Sequence, residues 1–204
     1  MPAALALVAA LLLALRLILF LALHVRPGGI DPVRHTVSDY AASTVPATRR
    51  LAAVASWSAA GGWLLLGATV LTLPGGGHTG LGTWLLVLGA VLALMPAVPT
   101  DGPGEPTTAR GRLHLLLAIA WFTIAYSTMG PSARLLAEVT GSPAPAVLHV
   151  LAVLHTVGAV ALLCLVVSLV VTPLRTRSFG LSERMFILAV TLAPLIVATG
   201  LALA

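Results

Sequence analysis

The sequence predicts an all-α, polytopic transmembrane helix bundle of about six spans, with a short amphipathic interfacial helix after span one. Three observations carry this. The chain is 59% hydrophobic and 8% charged, with a mean hydropathy of +1.06, whereas a soluble domain has about 25% charged residues. Its apolar residues fall into six runs of about 20, the length that crosses a hydrocarbon core as a helix. Pro and Gly clusters separate the runs. A water-soluble globule of 204 residues needs far more polar surface than this chain supplies, so the lipid bilayer is its first partner.

The spans cover about residues 3–24, 51–73, 80–98, 113–129, 146–171 and 185–204, in one transmembrane domain over 1–204. The first has no positively charged lead and exceeds the apolar core of a signal peptide, so it reads as a retained anchor. Joints stand at Pro27-Gly28-Gly29, Pro74 to Gly77, Pro103-Gly104, Gly130-Pro131, Pro143 with Pro145, and Pro173, since these residues punctuate helices. The second joint is short, which makes spans two and three a tight helical hairpin. Pro96 and Pro194 interrupt spans three and six, yet the two halves show none of the internal repetition that transporters carry. Small residues at Ala55, Ser58, Ala59, Gly62, Gly82, Gly89 and Gly158 allow helices to approach closely.

Every basic residue other than histidine is arginine, and the chain has no lysine, asparagine or glutamine. Arg26, Arg34, Arg49 and Arg50 flank the first loop, Arg110 and Arg112 the third, and Arg175, Arg177 and Arg184 the fifth. Arg134 stands alone on the even side. The positive-inside rule then puts the odd loops in the cytoplasm and both termini outside. Heavy use of Ala, Gly, Pro and Arg suggests a GC-rich bacterial genome, and so a bacterial inner (plasma) membrane. The formal charge of +5 invites a nucleic-acid partner. The arginines are scattered over loops without a stripe or interleaved aromatic residues, so no nucleic acid is expected. Cys164 lies alone in an apolar run. That excludes a disulfide framework and a thiolate metal site, and predicts a buried packing role.

Two ionisable residues fall well inside spans. An arginine at a helix centre costs about 2.5–3.5 kcal/mol. Arg16 therefore either snorkels along its own helix toward His24 or faces the bundle beside a carboxylate. His155 lies about 14 Å from the even face and about as far from the layer of His114. Shared metal ligation is not expected there; a hydrogen bond within the bundle is. His149 and His155 point about 120° apart on their helix, so they make no ligand pair. His24 and His78 read as interface and loop residues.

The remaining polar residues gather near the odd loops. Asp31-Pro32 looks like an N-cap followed by proline at the first helical position. Val33, Val37 and Tyr40 then repeat at helical spacing, with His35, Ser38 and Asp39 on another face. This predicts a short amphipathic helix ending before Pro46. In the third loop Asp101 follows Pro99-Thr100, and the fourth span opens Arg110-Gly111-Arg112-Leu113-His114. Asp101 and His114 should share a depth on neighbouring helices. Ser182-Glu183-Arg184 opens the last span, where Ser182 can cap it and Glu183 suits the positive end of its dipole.

Taken in order, His35 to Ser43 (HTVSDYAAS), Pro99-Thr100-Asp101, Gly111 to His114 and Glu183-Arg184 resemble the polar marks of a bacterial and archaeal multi-pass membrane family. It is catalogued as domain of unknown function 998. The resemblance spans nearly the whole chain and departs at Tyr40 and Ala41, where a Leu-Gly-like pair would be expected. It implies a multi-pass helical fold and no established activity.

His35, Ser38, Asp39, Asp101, Arg112, His114, Glu183 and Arg184 form the candidate polar site, a pocket at the cytoplasmic interface. Ionisable groups at membrane depth are functional-site hypotheses by default. The arginines suit an anionic lipid headgroup or small solute. The favoured reading is a non-enzymatic membrane protein that binds such a ligand without metal or cofactor. The alternative is a membrane-embedded enzyme acting on a lipid headgroup through Asp39, Asp101 and His114 as acid and base. No P-loop, dinucleotide fingerprint or HExxH motif occurs, and oligomeric state is not readable from sequence.

Overall fold

A peptide group in hydrocarbon has no water to bond, so a helix is the form in which each spanning segment satisfies itself. The computed structural model describes residues 2–25, 30–102, 106–141 and 143–204, with no strand among them. Arg26 and the joints Pro27-Gly28-Gly29 and Pro103-Gly104 lie outside the described residues.

Among the described residues, six helices are long and apolar enough to cross a membrane. They are α1 (Pro2–His24), α3 (Pro46–Thr72), α4 (Thr79–Leu94, whose span Thr79–Ala97 takes in the following 3-10 turn), α5 (Ala109–Thr140), α6 (Pro145–Val170) and α7 (Thr172–Leu203), of which Arg177–Leu203 is the apolar span. One further turn, α2 (Asp39–Ala42), lies in the first loop. It starts later than the Asp31-Pro32 signal suggested. Asp31 instead closes a turn, its carboxylate accepting the Val33 N–H at 2.8 Å.

α1 packs against α3 and α7, α4 lies beside α3 and α5, and α6 rests on α7. Trp63 of α3 meets Trp121 of α5 edge-on at 6.4 Å, and Phe122 leans on Phe186 of α7 at 4.9 Å. Outward faces stay greasy: Leu11, Ile18 and Leu21 on α1, and Leu163 and Val166 on α6, are exposed, as lipid-facing staves should be.

Two of the expected joints, Gly130-Pro131 and Pro173, differ in the structure, and one of the two expected interruptions does. Pro96 does end an α-helix, in the 3-10 turn Met95–Ala97. α5, however, runs straight through Gly130-Pro131 to Gly141, whose φ of +72° closes it. Breaking a helix inside hydrocarbon would strand more peptide groups than the one carbonyl that proline leaves free. Pro194 is likewise absorbed within α7. Pro173 sits in the first turn of α7, where its missing N–H costs nothing, so this helix begins at Thr172 and not near residue 185. Ser182 therefore cannot cap it. Ser182, Glu183 and Arg184 lie about 15 Å inside the helix.

The α3–α4 hairpin turns through Gly75 and Gly76, with φ of +105° and +64°, conformations that favour glycine. Along the hairpin, a Cβ on Gly67 would lie 2.9 Å from both the Gly82 carbonyl oxygen and the Leu86 nitrogen. Gly158 is different: its nearest neighbours, the side chains of Met129, Tyr126 and Ala189, would stand 3.5–3.8 Å away. Gly67→Ala should thus lower unfolding stability in detergent micelles by about 1–3 kcal/mol, with Gly158→Ala close to neutral. Equal melting curves for the two variants would contradict the close backbone approach.

Candidate functional site

Of the candidate residues, the structure brings His35, Ser38, Asp39, Glu183 and Arg184 together where the first loop meets α7. The centre is Arg184, 5% exposed. Its Nε donates to His24 Nε2 at 2.6 Å, and Nη1 donates to the carbonyls of His35 (2.6 Å) and Gly180 (3.0 Å). Nη2 reaches the Tyr40 hydroxyl at 3.5 Å, and the guanidinium lies 5.7 Å from the centre of that ring. His24 Nδ1 lies 2.7 Å from the Phe20 carbonyl and must donate to it. With Nε2 accepting from arginine, the imidazole is neutral and its tautomer fixed.

Glu183 is also buried, 7% exposed, and accepts the Val37 N–H at 2.7 Å. The Leu181 N–H donates to Val33 at 3.2 Å. Two residues of α7 thus use side chains, and one its backbone, to hold a non-helical loop. Gly180 makes this possible, because a Cβ there would collide with the His35 carbonyl. Arg16 completes the group. It is 7% exposed and rests 5.3 Å from the Phe20 ring centre. It bends along its own helix yet stays buried, which favours the bundle-facing reading over snorkelling into water.

Ser38 and Asp39 work within the loop. Asp39 accepts the Thr36 N–H at 2.6 Å while its own N–H donates to the Thr36 hydroxyl at 3.2 Å. That is a reciprocal capping box starting α2. The Ser38 and Thr36 hydroxyls pair at 2.8 Å. His35 Nδ1 accepts the Asp31 N–H at 2.8 Å. The Val33 N–H, foremost, holds the exposed Asp31 carboxyl below the usual carboxylate range.

Asp101 and His114 belong to a second cluster, around the α4–α5 connection. Asp101 takes the Thr108 hydroxyl at 2.6 Å and the Thr108 N–H at 2.9 Å. Thr108 in turn caps α5 by accepting the Gly111 N–H at 3.1 Å. Gly111 is packed so closely on the Asp101 carboxylate that no Cβ would fit. These Thr108 bonds hold the Asp101 carboxyl below its ordinary range. His114, 7% exposed, donates from Nδ1 to the Val98 carbonyl at 2.6 Å. Arg112 is exposed. Asp39 is bonded within the first loop, Asp101 and His114 across the α4–α5 connection, and among the described residues no hydrogen bond joins any two of the three.

Elsewhere two expectations change. Cys164 is exposed, because the buried stripe of α6 runs through Leu151, Gly158, Ala161, Leu165 and Ser168 and leaves it on the outer face. His155 stacks face to face on Tyr126, 4.8 Å between centres, in place of the expected hydrogen bond. Among the described residues no group of three or more His, Cys, Asp or Glu could hold a metal ion.

Sequence reasoning missed His24, Tyr40, Thr36 and Gly180 as members of the site. Thr36-x-x-Asp39 was readable as a capping box. The His24–Arg184 pair, 160 residues apart, left no local signal.

Two outcomes follow. Gly180→Ala should loosen the first loop, and trypsin should cut after Arg34 roughly tenfold faster; unchanged digestion would contradict the docking. Asp101 has a depressed carboxyl, so its stabilisation is full above the unfolded range near pH 4 and fades as pH falls through the lower folded value. Asp101→Asn should therefore melt lower at pH 7 and show a flatter acid limb in a melting-against-pH series.

The family profile described as "Protein of unknown function (DUF998)" matches residues 7–200. Neither the curated proteins nor the solved structures provide a match.

Proposed function

We propose, for a chain that belongs to the multi-pass membrane family DUF998, that it binds an anionic lipid headgroup or small anionic solute at its odd-loop end. One observation carries this reading. Arg184 is buried, and all of its hydrogen bonds end on neutral acceptors: an imidazole nitrogen, two carbonyls and a phenol. Its charge is solvated but not neutralised by a contacting carboxylate. A guanidinium matches the paired oxygens of phosphate or carboxylate, which can bond it bidentately. Such an anion would displace the first-loop carbonyl and phenol rather than create a new pocket. Arg16 of α1 adds a second buried positive charge.

The surroundings support an anionic ligand. Arg34, Arg49, Arg50, Arg110, Arg112 and Arg177 are exposed around the same end. That rim would meet the negative cytoplasmic leaflet of a bacterial plasma membrane, with both termini outside, as the positive-inside rule requires. The reading asks for no covalent step. An acid–base centre built from Asp39, Asp101 and His114 gains nothing from their separate local bonding.

The test is binding of dihexanoyl phosphatidate, glycerol phosphate and acetate to the purified protein, followed by thermal shift and calorimetry. Arg184→Gln should weaken the bound anion roughly ten- to a hundredfold, the size of a charge-assisted hydrogen bond. Arg184→Lys, which keeps the charge but not the fork, should recover only part. Tyr40→Phe guards against misfolding, since it leaves the charge and should retain binding. Equal affinity in folded Arg184→Gln and wild type would end the proposal.

A further inference from the structure

Hydroxyls in these spans follow a habit. Those of Thr69, Thr83, Thr123, Ser127, Thr156 and Thr191 each donate to the carbonyl four residues earlier. Hydrocarbon allows little else. Ser182 departs from it, as Thr48 and Ser132 do: it is 9% exposed, and no hydrogen bond joins its hydroxyl to the described residues. Ser168 of α6 is a fully buried hydroxyl without a partner.

Ser182 lines a groove between α6 and α7. Val157, Val160 and Cys164 form one wall, Leu181 and Met185 the other, and the volume is about 360 Å³. The groove opens outward: Val160 is 57% and Met185 41% exposed. That volume is near the lower end for a small-molecule site, enough for part of one acyl chain and not for a whole lipid. Ser168 stands one turn beyond Cys164 toward the odd-loop end. Arg177, exposed, is the first residue of the last candidate span and lies one turn above Leu181. Ser182 is about 8 Å deeper than Arg177 along the helix.

From the rim inward the order is therefore cation, unpartnered hydroxyl, apolar channel. A glycerophospholipid presents phosphate, ester carbonyl and acyl chain in that order. We propose that the α6–α7 groove is a binding site for one anionic glycerophospholipid. Its chain lies along Val160, Val157 and Met185, its ester carbonyl accepts from Ser182, and its phosphate meets Arg177. This goes beyond the reading above and does not rest on it. Arg184 is bonded to α1 and the first loop, on a different flank of α7.

The experiment is native mass spectrometry of the full chain released from micelles titrated with palmitoyl-oleoyl phosphatidylglycerol, which yields the dissociation constant of the first retained lipid. Val160→Trp fills the channel and should abolish that first binding. Ser182→Ala should weaken it roughly two- to tenfold, and Arg177→Gln about fivefold. Helix content and melting identify any variant that fails to fold, and the two polar variants decide the matter if the tryptophan one does. Glycerol 3-phosphate at millimolar concentration should not displace the lipid. Displacement by the headgroup alone would overturn the channel's role. The same first constant in folded Val160→Trp, Ser182→Ala and Arg177→Gln would mean annular lipid only, and would overturn the site.

Discussion

Hydrocarbon offers no partner to a stray hydrogen-bonding group, and two departures from helix among the described residues are organised around that fact. The α4–α5 connection is closed by Asp101 and Thr108 and tied to α5 by His114. The first loop is longer and cannot close itself. It takes partners from α7, where Glu183 accepts the Val37 N–H and Arg184 donates to the His35 carbonyl. Helices hold the middle of the bundle, and charged side chains hold what is not helical.

Burying those charges has a cost. Taking an ion out of water costs several kcal/mol even after relaxation, and attraction recovers it only with good geometry and satisfied hydrogen bonds. Arg184 meets the second condition through His24, two carbonyls and Tyr40. The first it lacks: among the described residues no carboxylate lies within ion-pairing distance of it. These partners form a mutually dependent set: removing His24 or Tyr40 leaves the guanidinium equally buried with fewer acceptors. A site with such dependence holds one arrangement firmly and yields only to a ligand that replaces what it displaces.

The spans were readable because hydropathy and length carry them without any knowledge of neighbours. The hairpin at Pro74 to Gly77 was readable for the same local reason, since glycine permits the positive φ that Gly75 and Gly76 adopt. Proline misled where its position within the helix mattered. Pro173 looked like a stop and is a start, and Pro131 is carried inside α5. Ser182-Glu183-Arg184 consequently looked like a cap when it is an interior stretch of α7 facing three different surroundings. Cys164 was misjudged because an apolar run does not say which of its faces is inward. The meeting of His24 and Tyr40 with Arg184 depends on how α1 and α7 pack, and no local pattern encodes it.

The bond from Glu183 to Val37 joins residues 146 apart in the chain. A ribosome making about 5–20 residues per second needs roughly 7–30 s to cover that interval. Throughout it the first loop's polar turn must stay wet or be sheltered by the insertion machinery. The final stave is thus also the keystone: until it enters the bilayer, the earliest loop has nowhere to settle.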